Sequence, residues 1–143
     1  MKMFNRTPLL AVFVAALLGG MGTAQAQRVY LAVDRSSGEM TALSSSEVEI
    51  DGYTILSPSG KLLVENWNSL SSQGAPDWTE ANPRAEQLSE LNLEGSGLLS
   101  IAAPVSLGAV YNGAGLLPAD EDIEFQFTTP EGDIRIGSVQ YVG

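Results

Sequence analysis

The chain has 143 residues, with 17 acidic against 7 basic side chains, and it contains neither cysteine nor histidine. These counts exclude a disulfide framework, thiolate and imidazole metal sites, and Ser-His-Asp or Cys-His catalysis. The formal charge of −10 repels nucleic acid and anionic lipid, so a nucleic-acid partner is excluded as well.

The chain opens MKMFNRTPLLAVFVAALLGGMGTAQAQ: Lys2 and Arg6 precede an apolar run from Leu9 to Leu18, and small residues stand at Ala24 and Ala26. This is the pattern of a secretory signal peptide over residues 1–26, cleaved after Ala26. The run is too short for a stable membrane span. Removal leaves 117 residues, 27–143, with five basic residues against 17 acidic ones and a formal charge of −12. One domain of ordinary size is expected, secreted or periplasmic, with a core that must hold without disulfides.

Along this part, RVYLAVD alternates Val29, Leu31 and Val33 with Tyr30 and Ala32, and the turn Arg35–Gly38 leads into EMTAL, which predicts a hairpin. EVEIDGYTILS alternates twice around Gly52, so a bulge or bend is expected at Asp51-Gly52. A turn at Ser57–Gly60 precedes a short strand, KLLVE.

A long polar loop, 66–96, comes next and carries both tryptophans. Within it, PRAEQLSELN reads as one or two helical turns, with Pro83 at a first helical position and Leu88 and Leu91 three apart. Strand patterns return in GLLSIAAPVSLGAVYN, interrupted at Pro104. IEFQFTT, the turn Pro130–Asp133 and IRIGSVQYV then form the clearest hairpin.

Roughly seven or eight short strands with one long, partly helical loop predict an all-β fold, an antiparallel β-sandwich. A closed barrel is the alternative.

Two stretches carry a resemblance. EVEIDGYTILSPSGKLL and DIEFQFTTPEGDIRIGSVQY are similar to the strand-turn-strand units of lamin-tail-like, immunoglobulin-type domains. The spaced pattern WNSL…WTEANP…LSELNL…SLG resembles an uncharacterised module of exported bacterial proteins. The resemblance spans most of residues 28–142 and implies an immunoglobulin-like sandwich, with no catalytic residues to carry over. Ala102-Ala103-Pro104-Val105 departs from the glycine turn such modules place there, and neither a sorting tail nor a second hydrophobic span follows, so a free secreted domain is expected.

Three chemistries compete for a site. Catalysis would need a carboxylate pair across a cleft, for which Asp77, Glu80 and Glu86 are the nearest candidates, yet no motif flanks them and no enzyme is expected. Calcium would use Asp120, Asp122 and Glu124 of PADEDIEF, although the spacing of a calcium loop is missing. A polysaccharide would stack on Trp67 and Trp78 and bond Asn68, Gln73 and Asp77. Against this, Trp67, Leu70, Trp78, Leu88, Leu91 and Leu93 offer enough apolar surface for the loop to pack on the sandwich as a cap. The expected function is therefore a non-catalytic module for extracellular interaction or surface structure, with an extracellular protein or polysaccharide as partner. Carbohydrate binding is the alternative. A subunit of an extracellular assembly, pairing through edge strands RVYLAVD or SVQYV, is the second.

Overall fold

The computed structural model describes residues 28–143. The signal-peptide reading of residues 1–26 lies outside them. The described residues form ten strands: β1 (Val29–Asp34), β2 (Glu39–Ser44), β3 (Val48–Ile50), β4 (Gly52–Leu56), β5 (Trp78–Glu80), β6 (Gln87–Asn92), β7 (Gly97–Leu99), β8 (Val105–Ala109), β9 (Glu124–Thr128) and β10 (Ile134–Val142). Two single 3-10 turns, Val64–Asn66 and Pro118–Asp120, are the helical elements among them. A large curled sheet runs β8-β2-β1-β10-β9-β4-β6-β5, and a small one pairs β3 with β7. The fold is an all-β sandwich.

Alternation sets the inner face. Val29, Leu31 and Val33 of β1, Met40 and Ala42 of β2, Ile55 of β4, Leu88 of β6, Leu107 of β8, and Phe125 and Phe127 of β9 all point into one core. Val48, Ile50 and Leu99 close it from the small sheet.

The break expected at Asp51-Gly52 is the crossing between sheets. Asp51 donates its N–H to Thr128 O, accepts Asn92 N–H on its carbonyl, and accepts the Thr128 hydroxyl at 2.6 Å on its carboxylate. At Gly52 a Cβ would stand 2.7 Å from Thr128 Oγ1 and 2.9 Å from Leu91 Cδ2, so the crossing needs a residue with no side chain. One hydrophobic run is thus divided between two sheets. Pro104 divides the later run in the same way, into β7 of the small sheet and β8 of the large one.

The first and last hairpins, β1–β2 and β9–β10, pair as the alternation predicts. Four features differ. Gln87–Asn92 is not helical but a strand paired with β4 from Gly52↔Leu91 to Leu56↔Gln87. Its inward residues are Leu88, Glu90 and Asn92, and the glutamate on the core face hides the period of two. KLLVE is no strand: Leu62 makes one bridge to Tyr111, and the chain then turns through Val64–Asn66.

The third difference is one parallel pairing, β10 with β1, from Ser138↔Tyr30 to Val142↔Asp34. The fourth follows from it. RVYLAVD lies between β2 and β10 and is no edge, whereas SVQYV pairs with β1 on one side only, β9 being paired with Ile134–Gly137.

The outermost strands of the large sheet are β8 and β5. Strand β8 carries an irregularity between Ser106 and Gly108, where Gly108 takes φ +93 and passes the loop so closely that a Cβ would stand 2.3 Å from Asn66 O. Gly108→Ala is therefore expected to destabilise the fold by about 1–3 kcal/mol, read as a lower urea midpoint at unchanged slope.

Candidate functional site

The segment 62–77 runs along the outer edge of β8 and bonds to it at successive points. Leu63 N–H donates to Val110 O at 2.7 Å, and Asn68 N–H to Leu107 O at 2.9 Å. The Asn66 amide donates to Ala109 O at 3.0 Å, and the Gln73 amide to Ser106 O and Asn68 O, both at 2.8 Å. A bare edge strand invites pairing with another chain, and this loop removes the invitation.

The loop's inner side is fastened to a buried acid. Glu90 of β6 has no solvent exposure, and its carboxylate accepts the N–H groups of Leu70 and Ser71, each at 2.8 Å, together with the Tyr53 hydroxyl. Burial first, then the neighbouring Glu90 charge, raises the Tyr53 pKa and keeps that hydroxyl a donor. Cross-strand from Glu90, Glu80 accepts the Ser69 hydroxyl at 2.5 Å, and Ser69 Oγ in turn accepts Ser72 N–H at 3.0 Å. Two consecutive N–H groups on one carboxylate fix the loop's position as well as its pairing.

The tryptophans flank this anchor and are both buried, Trp67 at 9% and Trp78 at 7% exposure. Trp78 begins β5, lies 6.3 Å from the Tyr53 ring centre, and covers the backbone of Gly97. The Trp67 indole N–H sits near enough to Tyr53 to favour the ionised phenol slightly, but it makes no hydrogen bond of regular geometry.

The five residues named for a polysaccharide therefore do not form an open platform. Trp67 and Trp78 face inward, and Asn68 and Gln73 bond within the loop and to β8. Asp77 alone of the five projects outward free of those contacts, in a left-handed conformation with φ 68.

The acids named for calcium are not brought together. Asp122 accepts the Ser57 hydroxyl at 2.8 Å and the Ser59 N–H at 2.7 Å; Glu124 stands exposed at the start of β9; Asp120 ends a 3-10 turn. Among the described residues no three carboxylates converge as a metal would require. Their neighbour Glu121 instead takes Arg35 in a fork at 2.7 and 3.0 Å, with the guanidinium 5.0 Å above the Tyr141 ring. Nothing in the local sequence marks that clamp, because its partners lie 86 residues apart.

Asp122 gives the structure an acid sensitivity. Burial pushes its pKa up, but hydrogen bonds from Ser59 and Ser57 outweigh burial and leave it lowered. A carboxyl depressed in the folded state contributes stability above its unfolded pKa of about 3.9, and loses it as pH falls through the folded value. Asp122→Asn is expected to flatten the acid limb below about pH 4 in a chemical-denaturation series, with little change in slope near neutrality.

Two concavities among the described residues lie apart from these groups. One, of about 210 Å³, lies on the outer face of the large sheet between Leu91 and Ile134. The other, of about 320 Å³, opens at the end of the sandwich between β3 and the β9–β10 turn, lined by Glu47, Val48, Glu49, Thr129, Glu131 and Arg135 beside Pro130. Sequence reasoning missed it, because its two walls come from segments some 80 positions apart that only the sheet crossing brings together. No helix among the described residues is long and apolar enough to cross a membrane. Comparison of the chain with family models, with characterised proteins and with solved structures returned no match in any of the three.

Proposed function

We propose that the chain is an exported, non-catalytic β-sandwich module that acts through extracellular interaction or surface structure. The observation that carries this reading is the anchored loop: the segment richest in ligand-like side chains is committed to sealing a sheet edge, with Trp67 and Trp78 buried against Tyr53 and Glu90. The basic start, apolar run and A-x-A site of residues 1–26 support export to the periplasm or beyond. The immunoglobulin-type, lamin-tail-like reading and the likeness to an exported bacterial module rest on the sequence resemblance, with which a β-rich fold divided between two sheets is compatible.

Two measurements test the proposal. The mass of the exported protein should place its N-terminus at Gln27; an intact Met1 in the exported fraction sinks the export reading. On a glycan array followed by tryptophan fluorescence, the emission should stay at the short wavelengths of buried indole and respond to no polysaccharide. Quenching by one polysaccharide, abolished in Trp78→Ala, would establish carbohydrate binding instead.

A further inference from the structure

We propose that the outer face of the large sheet is a self-association surface, on which a second copy of this chain packs sheet to sheet about a two-fold axis running along β9. The strand register sets two cross-strand rows on that face. On β10, β9, β4 and β6 in turn, the first row is Ile134, Thr128, Gly52 and Leu91, and the second is Ile136, Gln126, Thr54 and Ser89. The residues that alternate with them, Phe127, Ile55 and Leu88 among them, point into the core.

Neither row holds a charged side chain, although residues 27–143 carry a formal charge of −12. Asp51, bonded to the Thr128 hydroxyl, and Glu124, at the start of β9, stand at the borders. Two copies of so acidic a chain repel each other over most of their surface, and least where those charges are missing. On this same face Ile134 and Ile136 are 72% and 75% exposed, and Leu91 is 41% exposed. Apolar side chains gathered on an uncharged face mark a contact surface.

The face is complementary to itself. Gly52 puts no side chain into the first row, and the concavity of about 210 Å³ opens there, between Leu91 and Ile134. Ile134 and Gly52 lie one strand to either side of Thr128, about 4.8 Å each way. A two-fold axis along β9 therefore brings Ile134 of each copy over Gly52 of the other, into the concavity, and Ile136 over Thr54. An isologous contact needs knob and hollow on one surface, and here they are. Gln126 meets the Gln126 of the second copy across the axis, where each carboxamide can both donate and accept.

Eight positions a side fall well short of the roughly 20–30 of a stable interface, so the association is weak, with a dissociation constant on the order of 10⁻⁴ M. The inference rests on the interaction-module reading and makes a second copy the partner. Sedimentation equilibrium of the purified chain, residues 27–143, from about 10 μM to about 1 mM tests it without reference to export or glycans.

Association should tighten severalfold between about 50 and about 500 mM NaCl, since salt screens the net repulsion and leaves an uncharged contact intact. Amide shifts that move with concentration should centre on Gln126–Thr128 and Ile134–Ile136. Gln126→Glu and Gln126→Lys should each weaken association on the order of tenfold at unchanged melting temperature, because like charges then meet across the axis. Gln126→Lys lowers the net charge, so its loss cannot come from general repulsion. Mixed in equal amounts, the two variants should recover the affinity, since opposite charges then face each other. A chain still monomeric at about 1 mM in high salt, an association that salt weakens, shifts centred elsewhere, or a mixture no tighter than either variant alone overturns the proposal. Each of those results leaves the exported mass and glycan silence standing, so the two readings fall separately.

Discussion

Replacing Glu90 with leucine is expected to destabilise the protein by about 3–5 kcal/mol, lowering the melting temperature by about 10–20 °C. The cause is the set of donors left behind. The Tyr53 hydroxyl and the N–H groups of Leu70 and Ser71 all end on that carboxylate, which is itself fully buried. Each unpaired donor costs roughly 1–3 kcal/mol, against which leucine regains some apolar burial. Glu90→Gln keeps one acceptor oxygen but turns an amide N–H₂ toward the remaining donors, so an intermediate loss of about 1–2 kcal/mol is expected. Hydrogen exchange gives the local readout: the Leu70 and Ser71 amides should lose protection in both variants ahead of those of β1 and β9. If Glu90→Leu melts within a degree or two of the parent with those amides still protected, the carboxylate is not the anchor.

Trp78→Ala is expected to cost a similar amount, about 3–5 kcal/mol, for a different reason. The ring fills the space between Tyr53 and the Gly97 backbone, and β5 has three residues with which to hold itself to β6. Truncation opens a cavity that a short edge strand cannot close around, so β5 and the turn before it should fray together. Thermal unfolding followed by circular dichroism, with exchange at Thr79 and Glu80, measures both effects. A stable variant with intact β5 would return the residue to the candidate ligand surface.

The two substitutions separate what was readable in the sequence from what was not. Period-two patterns set β1, β2, β9 and the terminal hairpin, because there the inward residues are aliphatic or aromatic and the turns carry glycine. Asp51-Gly52 and Pro104 were legible as breaks for the same local reason, although their consequence, a change of sheet, is not local. Strand β6 was illegible because Glu90 occupies a core position, and a pattern of apolar residues has no symbol for a satisfied buried acid.

At the candidate site the packing of the tryptophans was legible, but not the groups to which the loop's polar side chains bond. Asn68 and Gln73 have the chemistry to bond sugar hydroxyls, but the acceptor that claims Gln73 is Ser106 O, 33 residues away. That the loop packs was readable from its tryptophans; that it covers the β8 edge was not. The concavity between β3 and the β9–β10 turn had no sequence signal, since its walls come from segments some 80 positions apart.

The parallel pairing of β1 with β10 has a mechanical meaning. Tension entering at Val29 and leaving at Val142 would pull the two strands along their own length in opposite senses, with the pairs from Tyr30–Ser138 to Asp34–Val142 resisting at once. A hairpin pulled open at its ends yields bond by bond; strands loaded in shear yield together or not at all. A protein stretched between attachment points at its two ends would thus keep its sandwich closed until that ladder gave way.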